Sequence, residues 1–223
     1  MKLAWYFDFV SPFSYLQFAA YPELVRRAAP RPVLFAGLLN HWGGMGPAEL
    51  PAKRLQTYRF TYWQARRRGI AMSYPPAHPF NPISALRLAI ALDCRHEAIK
   101  TIFEFIWTEG RSVADEWPAL VGRLGLGSAA ADAMIAERRV KDALAANGRR
   151  AIERGVYGVP TFDVLRESSD AGGADSGELF WGLDATDMLL DYLERPGMFD
   201  EPEMRRIAGL PVGAARKSRA PAA

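Results

Sequence analysis

Ser11-Pro12-Phe13-Ser14 carries the most chemical information in this 223-residue chain. The motif follows an apolar aromatic run, Leu3 to Val10, and opens a helical pattern from Tyr15 to Arg27. A serine at a helix N-terminus can donate its O–H to an anion at the place where the helix dipole favours negative charge. The anion of interest is the thiolate of a thiol. Its ordinary pKa is about 8.5, and each unit of lowering needs about 1.4 kcal/mol of preference for the thiolate. The helix terminus supplies roughly 0.3–2 kcal/mol, and a hydrogen bond to the charged form about 1.5–3 kcal/mol. Together they make a bound thiolate the main species near neutral pH. Serine forms no mixed disulfide, so the thiol arrives from outside and stays free to react. Helix capping by Ser11 is compatible with this role.

Gly158-Val159-Pro160-Thr161-Phe162 is the second constellation. A proline opening a strand has no N–H for the ladder and belongs at an edge or a special turn. A cis Val159–Pro160 bond would turn the Val159 N–H and C=O toward the first helix, where a ligand backbone could pair with them. Lys53 stands at a helix start, where its charge opposes the dipole and favours a bound carboxylate. Asp184 is expected to cap a helix first, and an N-cap aspartate keeps lone pairs that can also accept from a cation. His78, in an aromatic loop, reads as structural before catalytic. Cys94, the single cysteine, reads as a buried, inert thiol. No metal site is expected: His41, His78 and His96 are far apart, and one cysteine builds no cluster.

These residues need a scaffold. Leu3 to Val10 reads as a buried strand, with Ser11 as N-cap and Pro12 at the first helical position. The helix is expected to end before Pro30, and a short strand to follow over 32–36. That is a βαβ start with a right-handed crossover. From residue 39 the pattern changes to a Gly-rich loop (41–47) and then helices over 50–68, from Asn81-Pro82 to about 94, and over 97–109, 115–124 and 128–155. β signals return over 155–164 and 178–181, around a polar tip at 166–177. A closing helix is expected over 184–193 with Asp184 as its N-cap. The fold class is α/β: a thioredoxin-like βαβ…ββα domain (1–38 and 156–196) carrying a large all-helical insertion (39–155), then a C-terminal extension (197–223) whose end reads as disordered.

Charge and composition narrow the partners. The net charge is +3, and three of the basic residues, Arg216, Lys217 and Arg219, lie in the acid-free tail, so the rest of the chain is balanced. This argues against nucleic-acid binding. No apolar run approaches the roughly 18 residues of a membrane span. The N-terminus goes straight into a strand pattern rather than a signal peptide, so a cytoplasmic location is expected.

Five markers in order resemble the kappa-class glutathione transferases of the DsbA-like thioredoxin-fold group, and within them the bacterial 2-hydroxychromene-2-carboxylate isomerases. They are residues 6–16 (Tyr6 to Leu16), 51–54 (Pro51 to Arg54), 78–82 (His78 to Pro82), 158–162 (Gly158 to Phe162) and 179–184 (Leu179 to Asp184). The resemblance covers about residues 3 to 195. It implies glutathione as cofactor, with Ser11 as the catalytic residue hydrogen-bonding its sulfur and Lys53 at the glycyl carboxylate. It further implies that the Val159 backbone and cis Pro160 meet the cysteinyl backbone, and that Leu183 and Asp184 meet the γ-glutamyl end. Phe13, Tyr15, Trp42, His78 and Asn81 are expected around a small aromatic substrate. The implied reaction is isomerisation of a hydroxychromene carboxylate or related unsaturated 2-oxo acid: the thiolate adds to the conjugated system, the single bond so made rotates, and expulsion of the thiolate restores conjugation. Conjugation of glutathione to an electrophile is the alternative, and a homodimer the implied assembly. One departure stands out: Gly44 occupies the position of the family's asparagine, nine residues before Lys53, which implies a lost side-chain contact to glutathione that Asn40 or His41 could replace.

Overall fold

The structure is a computed structural model and describes residues 1–165 and 177–214. The expected tip at 166–177 therefore lies, but for Gly177, outside the described residues, as does the basic tail.

Two strands and two helices open the chain: β1 (Lys2–Phe7), α1 (Pro12–Ala20), α2 (Pro22–Arg27) and β2 (Ala29–Pro32). β1 is shorter than its apolar run because Asp8 turns the chain: its Oδ1 accepts the Val10 N–H at 3.0 Å. Pro22 divides the expected first helix in two. β2 lies upstream of the expected 32–36, and its two prolines are tolerated because it is an edge strand. Residues 35–42, read in part as strand and in part as loop, form α3 (Phe35–Trp42), closed by Gly43 at φ 65°.

The helical stretch follows as α4 (Pro51–Arg67), α5 (Ile83–Ala91), α6 (His96–Phe103) running into a π-helical turn (Glu104–Thr108), α7 (Trp117–Arg123), α8 (Ser128–Ala136) and α9 (Arg138–Glu153). Glu137, at ψ 139°, breaks the expected 128–155 helix. Then come β3 (Thr161–Leu165), β4 (Gly177–Trp181) and α10 (Thr186–Glu194). Asp184 lies two residues before α10 and is not its cap.

The sheet order is β2-β1-β3-β4, with β1 parallel to β2 and the other pairs antiparallel. Trp5 stands opposite Phe162, and Phe162 opposite Phe180. Because side chains alternate along a strand, central β1 feeds two cores. Trp5 and Phe7 stack at 4.3 Å on one face and meet Phe103 of α6, and Phe18 of α1 packs against Trp5 and Phe103. Ala4 and Tyr6 face the other way, clustering with Val33, Leu38 of α3, Ala151 of α9, Val156 and Val159.

Residues Met1–Thr186 form one compact unit, which holds the βαβ start, the helical stretch and β3–β4; Asp187–Ala223 form a second. In the second, a 3₁₀ turn (Met198–Asp200) precedes α11 (Pro202–Ala208), and Phe199 packs on Tyr192 at 5.0 Å. Among the described residues no single helix is long and apolar enough to cross a membrane.

Candidate functional site

The C-terminal end of β1 and the start of α1 open onto a cavity of about 460 Å³. Its wall includes Ser11, Phe13, His78, Val159, Leu183 and Asp184 among the residues singled out in the sequence. Ser11 is 6% exposed and is the N-cap of α1. Its Oγ accepts the Ser14 N–H at 3.2 Å, and its carbonyl accepts the Tyr15 N–H at 3.2 Å. The Ser11 O–H meets no acceptor among the described residues, so this donor is available to a ligand in the cavity. Ser14 is fully buried and its hydroxyl has no partner among the described residues.

The Val159–Pro160 bond is cis, and Val159 is part of the same wall. Val159 is buried and precedes β3, so the ladder does not use its backbone. Neither its N–H nor its C=O is bonded to any described residue. Buried backbone groups are rarely left so; at a cavity wall this pair suits the extended backbone of a peptide-like ligand.

The 182–186 turn forms the third side. The Leu183 carbonyl accepts from the Thr186 hydroxyl at 2.8 Å. Gly182 has φ 95°, and a Cβ there would stand 2.5 Å from Asp184 Oδ1. Asp184 is exposed at the rim with no cation paired to it among the described residues. Buried Gln17 of α1 holds this turn: its Oε1 accepts from Trp5 Nε1 at 2.7 Å, and its Nε2 donates to the Gly182 carbonyl at 3.1 Å and to Thr186 Oγ1 at 2.9 Å.

Two parts of the wall have no counterpart in the sequence reading. Asp8 is fully buried, and burial pushes its carboxyl up to about 7 against the pull of backbone N–H groups. Its two oxygens accept from Val10 N and Phe35 N, the latter at 2.9 Å, tying the serine turn to α3. A lone acid inside an apolar run was the available signal. Thr57, Phe60 and Gln64 of α4 also line the wall, with Phe60 at 6.3 Å from Phe13. Their spacing puts Lys53 on the same helical stripe, one turn beyond Thr57, though Lys53 itself is exposed and outside the lining.

Tyr15, Trp42, Asn81 and Pro160 are also outside the lining. The Tyr15 hydroxyl is committed to the Ala71 carbonyl and Thr108 Oγ1. Trp42 points its Nε1 at the Val156 carbonyl, 3.0 Å away. Asn81 Oδ1 accepts from Ile83 N at 3.0 Å, outside the helix that it was expected to cap directly. Asn40 and His41 are exposed, and neither reaches the wall; Gly44 bonds through its N–H to the Leu39 carbonyl at 2.9 Å.

Both His78 nitrogens are engaged, Nε2 with the Val10 carbonyl at 2.8 Å and Nδ1 with the Tyr58 hydroxyl at 2.9 Å. Burial lowers the His78 pKa, so the ring acts as a brace between loop and turn. Burial pushes the Cys94 thiol up to about 11, which keeps it protonated and unreactive. Among the described residues no group of His, Cys, Asp and Glu could hold a metal ion.

The sequence pattern of the DSBA-like thioredoxin domain family matches residues 2–194. The 2-hydroxychromene-2-carboxylate isomerase of Sphingobium xenophagum is 25% identical over 198 residues, covering 84% of this chain and 95% of that protein. A solved 2-hydroxychromene-2-carboxylate isomerase superposes with a TM-score of 0.69 at 23% identity, over 90% of this chain and 98% of that one. The cytosolic disulfide reductase DsbM from Pseudomonas aeruginosa, solved with GSH, has a TM-score of 0.55 at 17% identity, over 93% and 97%. Both share the fold.

Proposed function

The chain belongs to the DSBA-like thioredoxin domain family, and from that premise we propose that it is a glutathione-dependent isomerase of 2-hydroxychromene-2-carboxylate-type aromatic substrates. The observation that carries this reading is the unspent Ser11 O–H at the N-terminus of α1, in the wall of the cavity.

Two serines stand at the ends of the strand-to-helix turn, so no disulfide forms there. The residues present fit glutathione. Ser11 donates to its sulfur and, with the helix terminus, holds the anion. The two unbonded backbone groups of Val159 take the cysteinyl backbone, beside Pro160. Asp184 accepts from the γ-glutamyl ammonium, next to Leu183, and Lys53 meets the glycyl carboxylate. When bound, glutathione supplies a thiolate that adds reversibly to a conjugated C=C bond and so permits rotation about it. Phe13, Phe35, Leu39 and Phe60 offer an apolar wall for the ring and exclude water from it.

The test is turnover of 2-hydroxychromene-2-carboxylate with and without glutathione, followed by the mass of the product. Product of unchanged mass, formed only with glutathione, supports the reading. Product heavier by one glutathione assigns the chain to transfer instead. No glutathione dependence overturns it.

A further inference from the structure

Among the described residues the cavity wall carries no lysine or arginine; of its three carboxyl side chains, Asp8 is buried with both oxygens accepting backbone N–H groups, and Glu49 and Asp184 are exposed. The rest is largely apolar, with Phe13, Phe35, Leu39 and Phe60. Such an interior accepts an aromatic ring. It offers an organic carboxylate no cation in return for the water that it would lose.

The cations stand at the mouth, in the first turn of α4. Arg54 Nε donates to the Ala48 carbonyl at 2.9 Å, and Ala48 itself lines the cavity. That bond anchors the guanidinium beside the rim, and no carboxylate pairs with it among the described residues. Thr57, one turn along the same helix, is again part of the wall. The charge of Arg54 also acts to lower the pKa of His78, in the wall, and of Tyr58, which is bonded to it. Arg54 is thus close to the cavity while it stays outside the apolar lining. A guanidinium presents a planar fork that matches a carboxylate with two parallel hydrogen bonds.

We propose that Arg54 is a specificity residue, which takes the carboxylate of the aromatic substrate at the cavity mouth while the ring enters the apolar interior. This rests on the isomerase reading and assigns a substrate orientation to it: carboxylate outward, ring inward. Lys53 is left for glutathione.

The test is equilibrium binding rather than turnover. Chromone-2-carboxylate and chromone-2-carboxamide share one planar ring and differ in charge. Each is titrated into the full chain and into Arg54→Gln and Arg54→Lys variants, with glutathione binding to the wild type measured in parallel. The wild type binds the acid about fivefold more tightly than the amide, the size of an exposed ion pair of about 1 kcal/mol. Arg54→Gln abolishes that preference with little change for the amide, and Arg54→Lys keeps part of it. An acid-to-amide ratio that is the same in Arg54→Gln as in the wild type overturns the proposal, as does a wild type with no preference for the acid. Failure of the wild type to bind glutathione removes the isomerase reading itself, and the proposal falls with it.

Discussion

Replacing Asp8 by asparagine removes a titrating carboxyl from the cavity wall while keeping its size. Burial raises the pKa of this group from 3.8 to about 7, and the backbone N–H groups of Val10, Phe35 and Phe9 oppose the shift without cancelling it. A folded-state pKa above the unfolded value means that the folded protein keeps a proton which the unfolded chain has already lost. The resulting stability is fully present below about pH 4, falls as pH rises through the window, and is gone above about pH 7. A shift of about 3 units corresponds to about 4 kcal/mol over the whole window. Asparagine does not titrate, and its amide presents a donor to one of two N–H groups that want an acceptor, so the variant is the weaker protein in acid. Urea unfolding of wild type and variant at about pH 4 and about pH 8 isolates the effect, because every other titrating group cancels in the difference. The wild-type advantage shrinks by up to about 4 kcal/mol between the two conditions. Parallel pH dependences would refute the buried, proton-holding carboxyl.

Gln17→Leu leaves the Trp5 indole N–H without its acceptor and releases the Gly182 carbonyl and Thr186 hydroxyl; the expected loss is about 2–3 kcal/mol, read as a lower urea midpoint at unchanged m. Gly182→Ala puts a Cβ 2.5 Å from Asp184 Oδ1 at a φ of 95°, for a loss of about 1–3 kcal/mol and weaker glutathione binding in a titration. Arg154 donates Nε and a terminal nitrogen to fully buried Asp163, each at 2.9 Å. Arg154→Leu strands that carboxylate, and denaturant unfolding should register about 3–5 kcal/mol.

The sequence discloses the serine turn, the cis-proline strand and the closing turn because each is punctuated by proline, glycine or serine at a strand end. β1, β3 and β4 are legible from apolar runs. β2 is legible only in part: a second strand is expected over 32–36 but lies at 29–32, because Pro30 and Pro32 argue against a strand except at an edge, and its edge position comes from pairing with β1. α3 is hidden by glycines: Gly37 lies inside it and Gly43 ends it, so its Phe35 and Leu39 are missing from the expected wall. Tyr15 and Trp42 have the right chemistry for a substrate pocket, but hydrogen bonds to Ala71, Thr108 and Val156 commit them elsewhere. Asp8 shows as an acid in an apolar run; only the fold reveals that it joins the serine turn to α3. Gln17 in a helix gives no sign of bonding a turn some 165 residues away.

The role proposed for Ser11 is to hold a thiolate. Titrating glutathione into the wild type and into Ser11→Ala, with ultraviolet thiolate absorbance followed against pH, tests it directly. Thiolate should form near neutral pH in the wild type. In the variant the bound thiol's pKa should rise by about one to two units, the size of a lost hydrogen bond to an anion. Identical thiolate titrations in the two proteins, or no glutathione bound by either, would contradict it.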